Sequence, residues 1–442
     1  MLNKLVTLFA AGIFCMGTSA FAADNLLDIY QLAEQNDPQY KAAQAAHDAA
    51  LEAKPQSRAL LLPSLSLDAR ASRNEENVKN SSGSVFATGD SYFTSKTYAI
   101  SLNQPLFNVD YFTQLRQSDA SVGQADAELS AAEQDLIVRV AQSYFAVLAA
   151  LDNLEFVRGA HDAVERQLEQ TKQRFDVGLI AITDVHEAQA AYDLIVAQVI
   201  EAENQVSSAQ EALSELTGQP PKDLAYLTNK MEIVSPEPAN IDSWSDTALK
   251  QNFSLIAAEF SVKAAQEEVK LQRSGHYPTL DLTASHQYAN IDGGSQGARE
   301  VDDDTIGINF SLPLYSGGIV NSRVRQAIQL LEQAQENLEQ QRRATLRQSR
   351  DSYNNTLAAI KRVKAFNQAV ISAQSALDAS EAGLEVGTRT TVDVLTVRQS
   401  LLKAQQNHAS ARYDYVLNTL LLRQAAGILS AADLEQINSW IK

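Results

Sequence analysis

Arg389 and Asp393 place opposite charges four residues apart, just past the glycine of Val386-Gly387-Thr388. A similar arrangement stands earlier in the chain, where Val177-Gly178-Leu179 is followed by Thr183, Asp184 and Glu187. Residues of these types at a chain reversal can pair charges, attract cations or cap a helix. They do not by themselves make or break bonds. The six histidines (His47, His161, His186, His276, His286 and His408) are scattered, with no HExxH spacing and no cysteine beside them. No phosphate-loop or dinucleotide fingerprint is present. The chain is therefore expected to have no catalytic residue, no cofactor and no metal site.

The charged residues need helices to hold them. Glycine takes φ > 0 freely and commonly follows a helix end; aspartate at a helix start caps free N–H groups and suits the positive end of the dipole. Each stretch thus reads as the tip of a helical hairpin, with return helices expected over Asp184–Thr217 and Asp393–Ala426. The plain alternative is that Asp184 and Asp393 are helix caps and Arg389 a solvated loop charge. The tips differ at one position that matters: Ile180 in the first corresponds to Arg389 in the second.

The tips belong to a duplication. Ser143–Gly218 aligns without a gap to Ser352–Gly427. Upstream, Leu62-Pro63-Ser64-Leu65 parallels Tyr277-Pro278-Thr279-Leu280, and Pro105-Leu106-Phe107 parallels Pro313-Leu314-Tyr315. Each half runs in the same order. A helical segment (Asp37–Leu61, Asn252–Ser274) stops before a proline. Alternation follows, with Leu65, Leu67 and Ala69 set against Ser66, Asp68 and Arg70, then Tyr98, Ile100 and Leu102. The second half repeats it with Leu280, Leu282 and Ala284, then Ile306, Ile308 and Phe310. Four strands of about ten residues could each cross a bilayer. On pattern alone, two soluble hairpins remain an alternative.

The long helices Val109–Phe175 and Gly317–Leu384 contain no proline. Each would reach ~100 Å at ~1.5 Å per residue. Val140, Val147, Leu154, His161, Leu168 and Phe175 recur every seven residues, as do Val363, Val370, Leu377 and Leu384. That spacing implies coiled-coil packing, with His161 as a packing residue. The proline-containing stretch 219–251 and the chain ends should belt the rod, with Trp244 and Trp440 packed there.

The first 22 residues read as a secretory signal: Lys4, an apolar run from Leu5 to Met16, then Ala20-Phe21-Ala22. The mature chain should begin at Ala23, without a lipid anchor and without Cys15, the single cysteine. A net charge of −18 argues against nucleic acid as a partner.

The chain resembles the outer membrane efflux protein (outer membrane factor) family along its mature length. The resemblance is carried by Arg174-Phe175-Asp176-Val177-Gly178-Leu179, Ala181-Ile182-Thr183-Asp184-Val185, His276-Tyr277-Pro278-Thr279-Leu280-Asp281-Leu282-Thr283-Ala284-Ser285, Phe310-Ser311-Leu312-Pro313-Leu314-Tyr315, Gly317-Gly318-Ile319-Val320-Asn321-Ser322 and Val386-Gly387-Thr388-Arg389-Thr390. It implies a mainly α fold with a membrane β-barrel: a homotrimer whose 12-stranded barrel in the outer membrane continues as a 12-helix α-barrel across the periplasm, with a mixed equatorial domain. One chain would divide into a signal (1–22), a first repeat (23–218), an equatorial linker (219–251), a second repeat (252–427) and a C-terminal equatorial segment (428–442).

The resemblance further implies an exit duct for drug efflux or type I protein secretion, working with a periplasmic adaptor and an inner-membrane transporter. Arg389 would pair with Thr183 and Asp184 of a neighbouring hairpin to hold the tip closed, and Asp393 would ring the aperture. Two positions depart from the family pattern. Leu384 stands where an aromatic latch residue is expected and Thr396 where a second aspartate is, so Glu187 becomes the candidate to return a carboxylate. Val177, Gly178 and Leu179 with Val386, Gly387 and Thr388 would receive the adaptor. The rival readings are a coiled-coil stalk, which leaves the amphipathic strands without a role, and an adaptor subunit, for which no lipoyl-like segment is found.

Overall fold

A computed structural model describes residues 24–79, 88–228 and 231–441. The expected signal, residues 1–22, lies outside these. Among the described residues, four strands form one antiparallel meander in the order β1 (Ser64–Val78), β2 (Gly89–Phe107), β3 (Thr279–Ile291), β4 (Arg299–Ser311). With 15, 19, 13 and 13 residues, the strands are longer than expected. Their excess is polar sequence at the far end, where β1 runs through Asn74, Glu75, Glu76 and Asn77.

The register sorts the side chains. Leu65 opposes Leu102 and Leu67 opposes Ile100; Leu102 opposes Ala284, and Ala284 opposes Ile306. Successive residues point to opposite faces, so these apolar side chains share one face while Ser66, Ser101, Ser285 and Thr305 share the other. Leu65, Leu67, Ile306, Ile308 and Phe310 are exposed. Stacked Tyr98 and Tyr288, 5.1 Å apart, lie above them on the same face. An apolar band edged by tyrosine is the pattern of a lipid-facing barrel wall.

Below the sheet stand α4 (Val109–Asp176) and α8 (Ile319–Glu385), 68 and 67 residues long. The return helices are α5 (Ile182–Thr217) and α9 (Thr391–Ala425). They begin two residues earlier than expected, because Asp184 and Asp393 occupy the third helical position rather than the cap. The expected helix over 37–61 is broken into α2 (Pro38–Leu51) and α3 (Ala53–Ala59). Pro55 lacks the N–H that would bond the Leu51 carbonyl. Its counterpart α7 (Phe253–Ser274) has no such proline and is continuous.

Short and return helices abut end to end. Gly218, after α5, lies beside Asn36; Gly427, after α9, lies so close to Gln251 and Asn252 that a Cβ would fall 2.1 Å from the Gln251 carbonyl oxygen. The largest core sits at these junctions, where Tyr144, Phe145, Leu148, Leu213, Tyr415 and Leu434 are buried together. α1 (Leu26–Asn36) and α10 (Ala431–Asn438) supply further parts of it, and bridges join Asp24 to Leu224 and Leu227 to Ile441. Trp440 packs on this cluster, while Trp244, in α6 (Ile241–Gln251), packs on Tyr353, Leu422 and Ala426. The seven-residue stripe is buried at Val140, Val147, Leu154 and Leu168, half-buried at His161, and exposed at Phe175 beside the tip.

Candidate functional site

Both tips are built by the same backbone device. In the first, Gly178 (φ +76°) donates to the Phe175 carbonyl at 2.8 Å and Leu179 N–H to Arg174 at 2.9 Å. In the second, Gly387 (φ +79°) donates to Leu384 at 3.2 Å and Thr388 N–H to Gly383 at 2.8 Å. This pair of bonds satisfies carbonyls left over at a helix end and needs a left-handed residue, hence glycine. It turns the next side chains outward: Val177, Leu179 and Val386 are 70, 73 and 75% exposed. Three large apolar side chains in water at the end of a rod suit a contact surface better than a solvated loop.

The tips then diverge. At the start of α9, Thr390 and Asp393 cap one another: Asp393 Oδ2 accepts from Thr390 N–H and hydroxyl, both at 2.9 Å, and Asp393 N–H donates to Thr390 Oγ1 at 3.2 Å. The Thr390 backbone bond, then its hydroxyl, then the Arg389 charge hold the Asp393 carboxyl below the usual carboxylate range. At the start of α5 the capping position is Ala181, which has no side chain to offer. Asp184 is half-buried there and Thr183 and Glu187 are exposed. Among the described residues, Arg389, Asp184 and Glu187 form no ion pair within the chain.

Leu384 is not placed as a polar latch residue would be: it packs with Val370 and Val397 on Leu377, Val394 and Leu401. Thr396 bonds its own helix, donating to the Val392 carbonyl at 2.9 Å. Two features of the second hairpin were missed from sequence. Glu381 and Arg398 form an ion pair across α8 and α9, where the first hairpin has Lys172 and Gln189. Gly383 leaves space for the stem of Arg389. The repeat held the signal for both, since a charge pair and a glycine appear in one copy alone. Leu395 of the second hairpin packs into the first, against Val157, Val164 and Ile195.

Elsewhere the chemistry is structural. The His161 ring lies tilted against that of Tyr192, centroids 5.4 Å apart, beside the exposed Asp162 and Glu165. The stretch Gly293-Gly294-Ser295-Gln296-Gly297 spells a nucleophile-elbow string. An elbow requires a strand-to-helix turn, whereas this one joins two strands and Ser295 Oγ donates to Glu76 at 3.0 Å.

A family model described as outer membrane efflux protein matches residues 29–219 and 244–428, one stretch for each repeat. The chain belongs to the outer membrane efflux protein family. It is 41% identical over 444 residues to outer membrane protein TolC of Vibrio cholerae serotype O1, covering 100% of this chain and 99% of that protein. It is 32% identical over 439 residues to the alkaline protease secretion protein AprF of Pseudomonas aeruginosa, covering 99% and 91%. The Campylobacter jejuni CmeC outer membrane channel superposes with a TM-score of 0.80 at 17% identity, covering 100% of this chain and 98% of that one. The fold is thus that of an outer membrane channel. As an outer membrane efflux protein, the chain resides in the outer membrane and serves export, and the stalk and adaptor readings fall.

Proposed function

We propose that three copies close into one duct, a 12-stranded barrel in the outer membrane over a 12-helix barrel in the periplasm. The observation that carries this is the sheet: β1 and β4 are each paired on one side only, while its apolar face is exposed as a lipid-facing wall would be. Open edges are not tolerated in a bilayer, and four strands are too few to close. In this reading the chain comprises a signal (1–22), two repeats (23–218 and 252–427) and equatorial pieces (219–251 and 428–442). Drugs, toxic solutes or unfolded polypeptide pass through from an inner-membrane transporter; the secretion protein AprF supports polypeptide as a cargo.

The duct performs no catalytic step and needs no cofactor or metal. Its periplasmic tips are the gate. Arg389 of one copy pairs with Thr183 and Asp184 of a neighbouring copy; among the described residues Arg389 has no ion pair within its own chain. Asp393 lines the aperture and Glu187 adds charge, while Leu384 contributes packing and Thr396 a hydrogen bond within its own helix, neither a polar link between hairpins. An adaptor docks on Val177, Gly178, Leu179, Val386, Gly387 and Thr388.

The repeat itself supplies the test. Leu102 opposes Ala284 across the β2–β3 seam, and their repeat counterparts are Phe310 in β4 and Ala69 in β1. Those two should therefore oppose each other across the seam between copies. Phe310→Cys with Ala69→Cys should oxidise to a covalent trimer in outer membranes, sensitive to reductant. Monomer alone under oxidising conditions would sink the trimeric barrel in this register.

A further inference from the structure

Gly383 lies in the last turn of α8 with a backbone that needs no glycine, for its φ is not positive. Glycine inside a helix destabilises it relative to alanine, so the missing side chain has another reason. A Cβ at this position would lie 2.7 Å from Cγ and 3.4 Å from Cβ of Arg389, and 3.2 Å from Thr388 Oγ1. The first of these is closer than carbon atoms pack, and it falls on the root of the arginine side chain, which moves clear only by turning χ1 or shifting the loop backbone, so that the whole stem changes direction. The Gly383 carbonyl also accepts from Thr388 N–H at 2.8 Å, Arg389 N–H at 3.2 Å and the Thr388 hydroxyl at 3.1 Å. One residue thus fixes the backbone at 388–389 and seats the arginine stem. In the first tip the corresponding residues are Arg174 and Ile180. Where the loop has no arginine, the helix has no glycine.

We infer that Gly383 is a positioning residue for Arg389: its bare Cα sets the direction in which the guanidinium leaves the tip. The inference rests on the reading of Arg389 as the gate's basic group. A side chain at Gly383 lifts the stem off the helix and carries the charge away from its partner on the neighbouring copy, while the helix itself gains propensity.

Single-channel recording of the isolated trimer in planar bilayers tests this with three variants. Gly383→Ala should raise conductance in the same direction as Arg389→Ser, without loss of trimer or of thermal stability. Added to Arg389→Ser, it should change nothing further. A purely structural glycine would instead shift the melting temperature and leave conductance alone. If Arg389→Ser raises conductance and Gly383→Ala does not, the positioning role is wrong and the gate reading stands. If Arg389→Ser itself matches wild type, the gate reading falls and takes this inference with it. A further conductance change in the double variant, or failure of Gly383→Ala to assemble, would show that the glycine acts on the fold and overturn the proposal.

Discussion

Thr390 and Asp393 hold each other in a reciprocal cap, while Ala181, at the matching position of the first tip, caps nothing. A missing side-chain cap costs about 0.5–2 kcal/mol, so the first return helix starts with the weaker end. Ala181→Asp should therefore slow hydrogen exchange at residues 182–185, and Thr390→Ala should speed it at 391–394. Equal protection of both helix starts in the unaltered protein would show that neighbouring copies cap the first tip instead.

The same cap bears on the pore. The Thr390 bonds that depress the Asp393 carboxyl keep it ionised below the ordinary carboxylate pKa, so its charge persists as pH falls. In the proposed trimer, three such charges at the aperture would concentrate cations. Cation selectivity should hold from pH 8 down to about pH 5, and Asp393→Asn should weaken both selectivity and block by trivalent cations. Unchanged selectivity in that variant would move the acidic ring elsewhere, with Glu187 the next position to neutralise.

Long-period features of this fold are legible in the sequence because duplication states them twice. Helix lengths, strand faces and the glycine turns all follow from spacing. The break at Glu52 was legible too, through Pro55, but periodicity across Asp37–Leu61 outweighed a single proline. What spacing could not show was commitment of a side chain to a local partner. Asp393 looks like a cap or a pore charge from sequence, and only its bonds to Thr390 show it filling the capping box. Leu384 reads as a substituted latch residue until its contacts with Leu377 and Val394 make it core.

Midway along the rod, Tyr413 donates to Asp152 Oδ2 at 2.6 Å. Burial raises the Asp152 pKa, against the Tyr413 bond and the Arg412 charge, which lower it. A carboxyl with a raised folded-state pKa contributes stability below its unfolded pKa and loses that contribution as pH rises through the folded one. Asp152→Asn keeps an acceptor for Tyr413 and removes the buried charge. Thermal unfolding should then show the variant more stable than wild type at pH 8, with the gain shrinking toward pH 4. A gain independent of pH would assign the effect to packing.

The gate prediction turns on how little each link contributes. An exposed Arg–Asp pair is worth about 0.2–1 kcal/mol. In the proposed trimer, threefold symmetry would repeat the Arg389–Asp184 link three times, a bias toward closure of roughly 0.6–3 kcal/mol on the same basis. Leu384 adds apolar packing within its own hairpin and no polar link between hairpins. A bias this small can be overcome by docking an adaptor on the exposed Val177, Leu179 and Val386, with no nucleotide hydrolysed at the duct. Arg389→Ser should accordingly raise the conductance of the isolated trimer and admit large antibiotics such as vancomycin to the cell. Asp184→Ala combined with it should add little, since both changes break one link and contacting residues are not additive. Conductances that add in the double variant would place Arg389 and Asp184 in separate interactions, and wild-type conductance in Arg389→Ser would leave Arg389 a solvated charge on the tip.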